Sequence, residues 1–482
     1  MTLQYLLLAI GSLIIIWLMS KRPFLGLLFM LAVNPLEALF KLPAELSAGR
    51  LVGTVAVVGW LIHLQRHSGA RRRLGQSKLI SVVWAFPAVC IVGLMLSDSP
   101  SINFFGYSWA VIVIMLALLA LMIENLIDSK RRINQLLLVV VLSSAVAAIF
   151  PFANFLGVDL YSPLGLNAEE TITGGRAVGM AGSANALGLA TSMGLFALIS
   201  LVSMQRRIWI ILSLSAIALV MIGGLLLSGS RTHFVAFFVY IFAYGGIRLL
   251  GPKKGRLFSI LAVFALLALV PFALQRAPEN LQKRFIVVGA GVQGDTLDRA
   301  DFAMNQRRQS FGILLDHPLL GLGLQGFQSQ EAEGYGAHDT VSALLGETGL
   351  LGVFAFSWLV VSCWRWLYRG VRTGQKWNLD LYYYSVGFMA SLAAMLVAGW
   401  GGYTVFYQRW FWITIGASAV IARWSSVMDG PLSFSGGQGG RLRRIRGWGA
   451  GRTPLRTARR EALVNRNVTA QAGRVRCSGR KA

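Results

Sequence analysis

The sequence predicts an all-α, polytopic transmembrane helical bundle, and three observations carry that prediction. The 482-residue chain is 55% hydrophobic and only 13% charged, about half the charged share of an ordinary soluble domain, which is ~25%. Apolar runs recur from end to end, each long enough to cross a hydrocarbon core of about 30 Å as a helix. Basic clusters punctuate them at alternate loops. Lipid offers no hydrogen-bond partners to a backbone, so repeated spans of this length must be helices that satisfy their own amides.

Thirteen spans are read along the chain, centred near residues 11, 32, 57, 88, 115, 143, 190, 218, 241, 265, 353, 391 and 415. A count of twelve follows if the first or second run is re-entrant, since Pro35, Glu37 and Lys41 interrupt that region. The first run, near Leu3 to Met19, lacks a basic leader and a small-residue cleavage site, so it reads as a retained span. Lys21–Arg22, Arg71–Arg73, Lys130–Arg132, Arg206–Arg207, Lys253–Arg256 and Arg365–Arg372 all fall on one side. The positive-inside rule makes that side cytoplasmic. The N-terminus is then outside and the C-terminus inside. The organisation expected is N-terminal transmembrane helices over 1–273, an outer loop over 274–339, C-terminal transmembrane helices over 340–425 and a basic tail over 426–482.

The net charge of +25 does not imply a nucleic-acid partner. From Leu432 onward there are 13 Lys or Arg against the single acid Glu461. A Gly/Arg-rich, apolar-poor tail of this kind is expected to be disordered and drawn to anionic headgroups, at about 1 kcal/mol per basic residue. Cys90, Cys363 and Cys477 suggest no disulfide, and no Cys/His cluster has metal spacing, so neither a metal nor a cofactor is expected.

With sidedness fixed, the informative charges are the outer ones. Arg176 lies in TGGRAVGMAGSANALGLA, Arg231 in SGSRTHF, Arg307 and Arg308 in NQRRQSFGILLDHPLLGLG, and Arg409 in GYTVFYQRWFW. Arginine is costly at membrane depth and usually faces a cavity with a partner. Guanidinium forks suit phosphate oxygens, so arginines converging from separate loops would make a pyrophosphate-sized anion site. The small residues around Arg231 are expected to leave backbone N–H groups free for the same anion. His338 stands at the outer entrance of a span, where a neutral imidazole can take a proton from a hydroxyl or orient it. Asp339 suits the N-cap of the helix that follows. Glu347 lies about 13 Å further along that helix and is expected to pair with a basic residue, such as Arg231. His317 reads as a hydrogen-bonding loop residue.

The order of these pieces resembles the O-antigen ligase family, which includes O-antigen and exopolysaccharide polymerases. They are an R…G…N segment, SGSR, an outer loop with DHPLLGLG, and H-x5-LLGETGLLG, spread over about Arg176 to Ala419. The resemblance implies a GT-C-like, metal-independent membrane glycosyltransferase of the bacterial inner membrane. It implies a donor of undecaprenyl-pyrophosphate-linked glycan, an acceptor hydroxyl on a glycan or on lipid A–core, and a site open to the periplasm. Carried over, His338 is the catalytic histidine, Arg231 and one of Arg307 or Arg308 hold the pyrophosphate, and Arg176, Asn185 and Glu347 are recurrent positions. Relatives often have Asn where Asp339 stands, and an acid there is expected to favour a protonated imidazole. Ligase is preferred to polymerase on the overall pattern. A lipid-linked glycan transporter or flippase is the competing class. It would place ionisable groups and broken helices at span midpoints, and Glu124 and the Gly223–Gly224 and Gly401–Gly402 pairs are the only hints of that. A non-catalytic scaffold would leave the outer arginines without a purpose.

Overall fold

The computed structural model describes residues 16–39, 48–97, 100–164, 172–173, 176–205, 207–251, 295–329, 337, 339–402 and 404–429. The expected spans near residues 11 and 265 and the basic tail lie outside these residues, apart from helical residues 16–21 at the end of the first run. Residues 1–128 and 132–430 form one compact unit, and 129–131 group with 431–482 in a second.

The elements are α1 (Pro23–Val33), α2 (Ala48–Arg66), α3 (Ser68–Gly75), α4 (Leu79–Met95), α5 (Pro100–Leu126), α6 (Lys130–Phe155), α7 (Ala184–Val202), α8 (Ile208–Leu227), α9 (Arg231–Leu250), α10 (Asp295–Asp316), α11 (Thr340–Ala343), α12 (Gly349–Trp377), α13 (Leu379–Trp400) and α14 (Arg409–Asp429). A two-residue β-pair, Ile172–Thr173 with Arg176–Ala177, precedes α7. Eight helical stretches among the described residues are long and apolar enough to cross a membrane. They coincide with the spans expected near residues 115, 143, 190, 218, 241, 353, 391 and 415. The protein is an all-α polytopic membrane protein. At the span expected near 88, α3 and α4 form a pair bent by 72°, and near 32 there is only a shorter apolar helix.

Helices separated by the long loop pack together, α9 against α13 and α5 against α14. Side-chain hydrogen bonds sort the loops into two ends. At one end, Asn125 donates to the Ala70 carbonyl at 3.0 Å and accepts from Trp60 Nε1 at 3.2 Å. Arg423 there donates to the carbonyls of Glu124 and Ile127 at 2.9 and 2.5 Å, and Asp429 accepts from Arg369 and Thr373. These contacts bring together loops assigned above to the basic side. Glu124 is held there by Ser77, at the end of α5 rather than at its midpoint. The Gly223–Gly224 pair does not break α8. A Cβ on Gly224 would meet Ala148 at 2.7 Å and Thr191 at 3.2 Å, so the residue serves close approach to α6 and α7, as small residues do in membrane bundles.

One helix is broken, at the other end. Between α11 and α12, residues Leu344–Thr348 form a π-type turn, and Gly349 takes a left-handed φ of 60°. Such a turn frees backbone groups that must find partners. The loop 318–323 supplies them. Leu322 and Gly323 donate to the carbonyls of Gly346 and Glu347 at 2.9 and 3.0 Å, while Leu350 and Leu351 donate to Pro318 and Leu319 at 2.9 and 3.1 Å. Gly321, at φ 62°, lies so close that a Cβ would meet the Gly346 carbonyl oxygen at 2.5 Å.

Gly321→Ala is therefore expected to cost about 3 kcal/mol, from left-handed strain and the clash together. Gly312→Ala, at an open helical position, should be neutral or stabilising by up to ~1 kcal/mol. Thermal unfolding of the two variants in detergent reads the difference, and equal midpoints would contradict the seal described here.

Candidate functional site at the arginine-bearing end

The second end gathers the outer segments picked out by their arginines. Arg176, half-buried on the short β-pair, donates from Nε to the Ser228 carbonyl at 2.9 Å and from Nη2 to Asn185 Oδ1 at 2.7 Å. Asn185 Oδ1 also accepts from Ser230 Oγ at 3.3 Å, and Ser230 Oγ bonds His233 Nδ1 at 2.8 Å. Arg231 opens α9 with its side chain exposed. Its neighbour Thr232 donates to the Gly401 carbonyl at 3.0 Å. One residue away, the Trp400 carbonyl accepts from Arg307 Nη2 at 2.6 Å, and the Arg307 guanidinium stands 4.9 Å over the Trp400 ring. A continuous run of hydrogen bonds and adjacent residues thus joins Arg176, Asn185, Arg231 and Arg307.

Arg307 also pairs with Asp339, Nε to Oδ2 at 3.5 Å. Asp339, 1% exposed, caps α11 as expected. Its Oδ1 accepts from the amides of Val341 and Ser342, both at 2.9 Å, and its Oδ2 from Ser342 Oγ at 2.9 Å. Both oxygens are engaged, so the carboxylate is committed to the cap and to Arg307. His338 lies outside the described residues, but both its flanks are fixed. The Ala337 carbonyl accepts from Thr404 Oγ1 at 3.2 Å, and Asp339 is anchored as above. Arg409, half-buried, begins α14 just beyond this segment.

Two expectations are corrected. Glu347 does not pair with Arg231. It is 1% exposed, and its Oε2 accepts from the Tyr407 hydroxyl at 3.3 Å, because the π-type turn points it at the 405–407 segment rather than at α9. Desolvation, with Glu347 beside it, holds the Tyr407 phenol well above its usual range, so it remains a donor. The Gly229 and Ser230 amides are not free for an anion. They donate to the Leu226 carbonyl and to Ser228 Oγ, at 2.9 and 3.3 Å, which closes the turn between α8 and α9. The resemblance left open which of Arg307 and Arg308 faces the site, and the two point differently. Adjacent helical residues project about 100° apart, so Arg307 turns into the network while Arg308 is exposed. His317 is exposed in the loop, its amide and carbonyl both in turn hydrogen bonds.

Sequence reasoning missed Ser230, Thr232, His233, Trp400, Thr404 and Tyr407. SGSRTHF and GYTVFYQRW hinted at all of them but Trp400, through polar residues beside the chosen arginines. Among the described residues, no group of His, Cys, Asp or Glu has a metal-holding arrangement.

The fold and this end together define a multi-pass membrane protein with a guanidinium-rich site at one face. Residues 216–357 match the family described as O-Antigen ligase, a match that supports an O-antigen ligase/polymerase type of membrane enzyme. The matched segment includes Arg231, Arg307, Arg308, Asp339 and Glu347 and leaves out Arg176, Asn185 and Arg409. Residues 3–153 match a family of unknown function, DUF5935. Comparison with curated proteins returns no match.

Two substitutions separate the roles of Asp339. Asp339→Asn keeps a competent cap and should lose little stability, whereas Asp339→Ala loses cap and ion pair and should cost about 2 kcal/mol. If thermal unfolding shows both variants equally damaged, the Arg307 contact outweighs the cap. Glu347→Gln, which keeps an acceptor for Tyr407, should likewise be milder than Glu347→Ala, which leaves a buried hydroxyl unsatisfied at a cost of about 1–3 kcal/mol.

Proposed function

We propose that the protein transfers a glycan from an undecaprenyl-pyrophosphate donor to an acceptor hydroxyl at the periplasmic face of the inner membrane, as an O-antigen ligase. The observation that carries this reading is the joining of Arg176, Arg231 and Arg307, from three separate segments, beside the fixed flanks of His338. In the reaction, the acceptor oxygen attacks the anomeric carbon and the bond from that carbon to the pyrophosphate oxygen breaks. His338 takes the hydroxyl proton. The departing lipid pyrophosphate keeps the bonding electron pair, and its charge is met by guanidinium groups.

Pyrophosphate leaves readily once its charge is stabilised, so the chemistry needs positioning and fixed positive charge more than a strong acid. Arg231 and Arg307 are the groups assigned to the pyrophosphate, with Arg409 at the rim. Arg176, held by Asn185 and the Ser228 carbonyl, supports the turn that presents Arg231. Glu347 and Asp339 fix the broken helix and the entrance of the span that follows His338. The arginine-bearing end is assigned to the periplasm because the basic loops lie at the opposite end.

Purified protein in vesicles, given lipid-linked glycan and lipid A–core, should form the ligated product. His338→Ala and Arg307→Ala should each lose it by a factor on the order of 100 or more, with Gln309→Ala, on the exposed side of α10, unaffected. Transfer by His338→Ala at the wild-type rate would remove the histidine from the mechanism. Product formed only with a second glycan chain as acceptor would make the protein a polymerase, and no product with either acceptor would refute the transferase reading. A cysteine at Gln309 should be labelled by an impermeant thiol reagent from the periplasmic side alone.

A further inference from the structure

Beside Arg307, which turns into the network, helix α10 carries three further faces. With about 100° per residue, Gln306, Ser310 and Ile313 share a face that is buried against the bundle. Ile313 there lies close to Gly346 of the broken helix. The second face carries Asn305, Gln309, Gly312 and Asp316, all exposed and without apolar side chains, with exposed Phe302 above them toward the start of the helix. The third carries Met304, Phe311 and Leu315, which are 51%, 56% and 82% exposed, with exposed Arg308 at its edge beside the polar face.

A water-facing helix does not place its apolar residues outward and its glutamine and serine inward. The inversion identifies what the third face meets. The apolar strip continues through exposed Leu319, whose carbonyl accepts from the Leu351 amide at 3.1 Å. From Leu351 it runs onto Phe354, Trp358 and Val361, exposed at the spacing of a single helix face. That face belongs to a stretch long and apolar enough to cross the membrane, so it is a lipid-facing surface. The strip on α10 is the same surface carried round the corner of the 318–323 loop.

We propose that α10 lies along the membrane surface. Met304, Phe311 and Leu315 sit in the upper acyl region of the bilayer, the polar face meets water, and Arg308 faces lipid phosphate at the boundary between them. Helices of this kind bury an apolar face about 5–10 Å into the headgroup–acyl boundary, and an arginine at that edge keeps its guanidinium at the phosphate level. Arg308 is then an anchor to bilayer lipid, distinct from Arg307, one residue away, which turns into the site. The helix thereby fixes the height of Arg307 relative to the bilayer. The inference rests on the membrane fold and not on the transfer reaction, so its test is independent of activity.

The test uses the full chain in vesicles of phosphatidylethanolamine and phosphatidylglycerol, with Cys477→Ser as background, since Cys90 and Cys363 are buried. Nitroxides are attached at Leu315→Cys, Phe311→Cys and, as the water-facing control, Gln309→Cys. The labels at 311 and 315 should collide more often with oxygen than with a water-soluble nickel complex, and the label at 309 should show the reverse. A 315 label as open to nickel as the 309 label overturns the proposal. So does a 315 label shielded from both reagents and dipolar-coupled to a second copy, which would make the face a contact between chains. Adding Arg308→Glu to Leu315→Cys should move the 315 label toward the nickel reagent, and an unchanged label overturns the headgroup role of Arg308.

Discussion

The arginine-bearing end depends on the exchange of backbone hydrogen bonds between the broken helix at 344–351 and the loop 318–323. A π-type turn inside a membrane protein frees carbonyls and amides that lipid cannot satisfy. Four bonds from one short loop replace the missing helical ones, and this is possible only because the two backbones nearly touch. Gly321 and Gly349 supply both the left-handed φ and the missing Cβ that the approach requires. The break turns Glu347 toward Tyr407 and sets α11, with its Asp339 cap, at the angle from which Asp339 reaches Arg307.

The arginines are positioned largely by carbonyl groups at or beside helix ends. Ser228 ends α8 and accepts from Arg176, while Trp400 ends α13 and accepts from Arg307. These carbonyls have no partner within their own helices, and they also sit at the negative pole of the helix dipole. The carbonyl contacts orient these guanidinium groups, and Arg307 also meets the Asp339 carboxylate.

Much of this was legible in the sequence. The eight span positions followed from apolar run length, and the division of the loops between two ends followed from the alternation of basic clusters, which the interloop hydrogen bonds reproduce. Asp339 was readable as a cap because an acid directly before a helix has one dominant local use. The motif order DHPLLGLG and LLGETGLLG marked the family, and the glycines in both now have a shared reason, the close approach of the two backbones. The errors had a common origin. Pairing Glu347 with Arg231 assumed an unbroken helix beyond His338, and the free amides near Arg231 assumed an open turn where Ser228 closes it.

The sequence by itself determined the helical membrane class, the order of the segments and their division between two ends, and which residue types gather at the arginine-bearing end. Those properties depend on run length and charge, which act locally along the chain. Only the tertiary structure decided which arginine turns inward, which carbonyls hold it, and that Glu347 answers to Tyr407. Those outcomes depend on the rotation of α10 and on a helix break sealed by a loop some twenty-five residues away. The local periodicity of the sequence does not encode either of them.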